Sequence, residues 1–137
     1  MIPFVKESEV IAAEGERTGY NLIDERHGCK NGAKCGISFY TRTEFHEGAE
    51  HDDQEGFYVL EGKGYARIDG EVLTMEPGVS FVIPAHTNHS MRRDPDYEYC
   101  KVFCHNTQIR RAGGNLLCGD GLHGIQRKHL CVLCLCV

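Results

Sequence analysis

The sequence predicts an all-β protein, a small sandwich or barrel around a metal-centred pocket. Three observations carry that expectation. Short runs of β-branched and aromatic residues recur at near-regular spacing, separated by glycine, proline and asparagine turn signals. No stretch shows a convincing 3.6-residue helical period. Two of the runs sit next to histidines: His51 and Glu55 come just before FYVL, and His89 follows SFVIP. Two such strands can meet in space and hold a metal ion between them.

Taken in order, residues 1–36 read as leader strands and a loop. Phe4-Val5 and Val10-Ile11-Ala12-Ala13 are each expected to form a short strand or turn. Glu25 to Gly36 (ERHGCKNGAKCG) is polar and glycine-rich, and its Asn31-Gly32 marks a tight turn. From Ile37, ISFYTRTEF has strand composition, and FYVLEG follows. Asp69-Gly70 then sits between ARI and EVL; a type I′ turn needs positive φ at both central residues, so this is a strong hairpin signal. Glu76-Pro77-Gly78 turns into SFVIP, and YEYCKVFC supplies a last strand. The barrel core is therefore expected at 37–104. Residues 105–137 read as a cysteine-rich extension. There, Cys131-x2-Cys134-x-Cys136, with Cys118, His123 and His129, offers zinc-type donors without the spacing of a common finger. A final strand or an appendage is the plainer expectation.

A chain of 137 residues has room for one domain and one core. Its 41% hydrophobic and 26% charged residues are ordinary for a soluble globular protein. A formal charge of −5 gives no reason to expect nucleic acid as a partner. No charged segment followed by an apolar run opens the chain, and no run approaches the ~20 residues needed to span a bilayer, so no membrane partner and a cytoplasmic address are expected. The eight cysteines are then mostly reduced thiols. Cys100 and Cys104, inside a strand pattern, are expected to be small buried hydrophobes, and Cys29 and Cys35 to lie on an exposed loop.

The two histidine-bearing stretches resemble the motifs of the cupin superfamily, G-x5-H-x-H-x3/4-E-x6-G and G-x5-P-x-G-x2-H-x3-N. In the first, Ala49 stands at the first histidine position, His51 at the second, Glu55 at the glutamate and Gly62 at the closing glycine. In the second, Gly78, Pro84 and His89 match, while His86 replaces a glycine and Arg93 the asparagine. The resemblance spans roughly residues 37–104 and implies a double-stranded β-helix, the jelly roll of a small single-domain cupin barrel. It also implies one mononuclear divalent metal ion, with His51, Glu55 and His89 left to hold it. Imidazole and carboxylate suit Fe, Mn, Zn, Ni or Cu without choosing among them.

Strand alternation extends this site. Ala49 would share a face with His51, and His46 would lie on the opposite face as a weaker substitute ligand. Glu55 is the candidate catalytic residue, as ligand or proton carrier. Phe57 and Val59 should share the interior with it, as should Met91 and Arg93 with His89, making these four the candidate substrate-binding residues. An inward Arg93 suits a ligand carboxylate or phosphate; the alternatives are an interior ion pair or a bend that turns it outward. His86 belongs at the barrel mouth rather than among the ligands. Two functions fit: a metal-dependent enzyme on a small polar molecule (dioxygenase, isomerase or lyase type), or a non-catalytic binding or sensing barrel with a degenerate site. The apolar, aromatic strands favour pairing of two copies as a homodimer.

Overall fold

The structure, a computed structural model, describes residues 2–107. The cysteine-rich stretch from Cys118 to Cys136 lies outside the described residues. Strands β1 (Gly19–Ile23), β2 (Lys34–Tyr40), β3 (Gln54–Gly62), β6 (Ser80–Ile83) and β8 (Cys100–Thr107) form one sheet, in the order β1-β2-β8-β3-β6. Strands β4 (Gly64–Ile68), β5 (Glu71–Met75) and β7 (His89–Arg93) form a second, in the order β5-β4-β7. Every pairing is antiparallel. The all-β expectation therefore holds, and the hairpin residues Asp69 and Gly70 both take positive φ, 50° and 89°.

The sheets close on a core in which Val59, Ala66, Met75, Ile83, Cys100 and Val102 have no exposed surface. Complete burial of a valine, isoleucine or methionine is worth about 1.5–3 kcal/mol, more than a typical hydrogen bond contributes net, so this layer rather than polar contacts holds the sheets together. Cys100 is part of it, and burial pushes its thiol up to about 11, leaving an inert small hydrophobe.

Two features depart from the expectation. Residues Glu7–Glu14 form a helix, α1, where a strand or turn was expected around Val10–Ala13. Glu7 and Glu9 in its first turn suit the helix dipole, Ala12-Ala13 favour helix, and Gly15 at the C-terminal end has φ 74°. None of its residues is buried, which explains why no apolar stripe announces it; Glu7 ties it to Lys101 on β8 at 2.6 Å. The main sheet also reaches outside 37–104. β1 adds an edge strand that pairs Tyr20 with Ile37, and β8 runs on to Thr107.

The segment between β2 and β3 crosses the second sheet and is tightly fixed. Phe45 lies under the guanidinium groups of Arg67 (4.8 Å) and Arg92 (5.1 Å). Arg67 donates to the His46 carbonyl at 2.7 Å, and the His46 N–H donates to Ser90 Oγ at 3.1 Å. Ala49 exchanges both backbone hydrogen bonds with His89, at 2.8 and 3.0 Å. These contacts set the approach to β3, where the histidine and glutamate of the first motif lie.

Candidate metal centre

Glu55 is the second residue of β3, and His89 opens β7 in the other sheet. His51 lies on the segment entering β3 rather than on a strand, so the expected alternation of Ala49 and His51 along one strand does not apply. The three side chains nevertheless meet. One ligand atom from each lies within 4.8 Å of the others, and the two imidazole rings stand 5.0 Å apart at 82°. His51 Nε2 is 3.2 Å and His89 Nε2 3.4 Å from the same oxygen, Glu55 Oε2.

The outer hydrogen bonds define what these atoms offer. His51 Nδ1 donates to the Asp53 carbonyl at 3.1 Å, and His89 Nδ1 donates to the Thr87 carbonyl at 2.8 Å. A carbonyl can only accept, so in each neutral ring the proton sits on Nδ1 and the Nε2 lone pair faces Glu55. Three acceptors then converge with no donor between them. A proton or a cation resolves that repulsion, and two imidazoles with a carboxylate, each imidazole held by a carbonyl behind it, fit a divalent metal. His89 keeps 8% of its side-chain surface exposed and Glu55 16%, against 35% for His51, so the cluster opens on the His51 side.

Asn106 completes the support: its amide donates to Glu55 Oε1 and leaves Oε2 facing the histidines. The sequence reading missed this residue because it fell beyond residue 104, in the stretch taken for the extension. The alternation Cys100, Val102, Cys104, Asn106 along β8 was the available signal. Tyr40, packed against the core, is a second omission. Burial pushes its phenol well above the usual range, and the nearby Cys104, Glu55 and Cys100 add to the shift, so it remains a neutral donor.

The other expected site residues separate. Val59 has no exposed surface and Phe57, 7% exposed, stacks on Phe81 at 4.9 Å, so both are part of the core. Arg93 takes the outward bend that the sequence had left open beside the ligand-binding reading. It is the last residue of β7, where alternation loses force, and its guanidinium is occupied by four backbone carbonyls: Thr41 (2.8 Å), Asp94 (3.3 Å), Pro95 (3.1 Å) and Tyr97 (2.6 Å). Arg93→Lys keeps the charge but cannot reproduce this fork, so it should lower stability by about 1 kcal/mol in urea unfolding while leaving metal affinity unchanged. His86 lies at the mouth as expected, exposed, at φ 60° and 3.5 Å from Asp52; the positive φ suits the glycine that the cupin motif has there. His46 stays outside the cluster, its Nδ1 accepting from the Gly48 N–H at 3.0 Å. Met91 is in the core but also borders a cleft of about 350 Å³ with Tyr40, Arg42 and His46.

The sequence profile of the Cupin domain family matches residues 42–105. No curated protein matches the chain. Among solved structures, a cupin 2 domain-containing protein from Halorhodospira halophila is 16% identical and superposes with a TM-score of 0.58, over 72% of this chain and 68% of that one. A cupin protein from Bacteroides fragilis is also 16% identical, with a TM-score of 0.57 over 93% of this chain and 100% of that one. FeII HppE is 16% identical, with a TM-score of 0.52 over 64% of this chain and 48% of its own. At such identities the likeness concerns the fold. The profile match takes in His51, Glu55 and His89, and the two-sheet architecture is shared with these structures; residues 42–105 are a domain of the cupin superfamily.

Proposed function

We propose that the chain is a metal-dependent cupin enzyme acting on a small polar molecule, of dioxygenase, isomerase or lyase type, with one divalent ion held by His51, Glu55 and His89. The convergence of two Nε2 lone pairs on Glu55 Oε2, each imidazole anchored by a carbonyl at Nδ1, carries this reading. The fold shared with FeII HppE supports iron(II) as one candidate beside Mn, Zn and Ni. When bound, the ion supplies a Lewis acid or a binding site for O2. Glu55 is the chain's own acid–base group: Asn106 fixes one carboxylate oxygen, and the other can ligate or take a proton. His89, largely enclosed, excludes water from the inner side of the site.

The test is turnover. Reconstituted protein should change the composition of a panel of small polar metabolites followed by NMR, and chelated protein should not. A loaded protein that binds a panel member without converting it would support the second reading, a non-catalytic binding or sensing barrel. One observation favours that alternative: Ala49 stands where the cupin motif has a ligand.

The remaining parts of the proposal are a cytoplasmic address and a homodimer at micromolar concentration. Tyr58, Leu60 and Val82, exposed by 40–45% on neighbouring strands β3 and β6, offer apolar surface for a second copy. Sedimentation should show a species of twice the 15.4 kDa chain; a single component at the chain mass would remove the dimer.

A further inference from the structure

We propose that the cleft beside Met91 is a subsite for a compact oxyanion, the carboxylate or phosphate end of a small molecule, with Arg42 as its charged anchor. The proposal deepens the small-molecule reading above and rests on it. The cleft measures about 350 Å³, at the small end of ligand pockets. Thr18, Tyr40, Thr41, Arg42 and His46 give it polar donors, and Phe39 and Met91 give it apolar walls. None of the seven is acidic, in a chain with 20 Asp and Glu residues and a formal charge of −5.

Arg42 differs from the arginines around it. Arg67 donates to the His46 carbonyl, Arg92 to the Thr43 carbonyl and Arg93 to four carbonyls. Among the described residues no carbonyl or carboxylate accepts from the Arg42 guanidinium. Its backbone is fixed, since its carbonyl accepts from the Arg93 N–H at 2.8 Å, so the exposed side chain starts from a set place at the cleft and keeps a bidentate donor to offer. His46 adds a neutral donor: its Nδ1 accepts from Gly48, which leaves the ring proton on Nε2. Met91 lies two residues beyond His89 on the same strand, roughly 7 Å along it, so a short-chain anion seated in the cleft can reach toward the candidate metal centre.

The experiment titrates chelated, full-length protein with succinate and, separately, with inorganic phosphate, following the arginine Nε–H signals by NMR. Saturable millimolar binding is expected, weakened at least fivefold in Arg42→Gln and abolished in Arg42→Glu, with the urea midpoint of each variant checking that it is folded. Binding of succinate alone assigns a carboxylate ligand, and binding of phosphate alone assigns a phosphate; either supports the subsite. It is overturned if neither probe saturates, or if Arg42→Gln binds like the native chain. Binding that appears only after metal loading and survives Arg42→Gln places the anion on the metal and overturns the subsite while leaving the metal centre standing. Arg42-dependent binding in a protein that takes up no metal has the reverse meaning.

Discussion

Untagged protein is expected to hold one divalent ion per chain, and His89→Ala is expected to abolish that binding. His89 is the most enclosed of the three ligands and the one supplied by the second sheet, so its loss leaves only His51 and Glu55, four residues apart on one segment. Because the ion binds only the folded chain, metal at a hundred times its dissociation constant should add about 2.7 kcal/mol of stability. For a domain of this size that is a rise in Tm on the order of 10 °C, reversed by a chelator. Metal-bound imidazole must be neutral, so protons compete and affinity should fall as the pH drops below about 6. Metal analysis and thermal melts with and without chelator check all of this. A native protein whose melting point ignores both metal and chelator would sink the metal centre.

The cluster of the three side chains was largely legible in the sequence, because the motif spacing names residues that a barrel must bring together whatever the details of register. His51, Glu55 and His89 meet accordingly. The Asp69-Gly70 turn was legible for a simpler reason: its φ requirement is local. What failed were inferences that extended strand alternation to the ends of strands. Arg93 closes β7 and turns to the carbonyls of the following turn, so an inward direction read from His89 and Met91 does not reach it. Asn106 has the inward direction that alternation gives, but its contact with Glu55 depends on the β3–β8 register, which pairs residues 51 apart and leaves no local trace. Helix α1 has no fully buried residue, and only Val10 and Ile11 of its half-buried face are apolar, so the apolar period that would reveal a helix is too thin to read. Arg42 matches no motif position, and that it has no hydrogen-bond partner among the described residues is something no sequence displays.

Ala49→His is expected to tighten metal binding at least tenfold, about 1.4 kcal/mol. The structural basis is the backbone exchange between Ala49 and His89, at 2.8 and 3.0 Å. Residues directly opposite each other in an antiparallel pair project to the same face with their Cβ atoms about 5 Å apart, so an imidazole at 49 emerges beside His89. Ala49 is exposed, and the larger side chain displaces no core residue. The variant should therefore keep the native urea midpoint without metal and exceed the native melting temperature with it. Calorimetric titration of both proteins with the same ion decides among three states of the site. A tighter variant means that the native centre is a cupin site weakened by one missing ligand. Equal affinities mean that His51, Glu55 and His89 already form a complete centre, with the Ala49 side left open for a ligand. If neither protein binds an ion, the three acceptors share a proton instead, and the non-catalytic barrel becomes the better account.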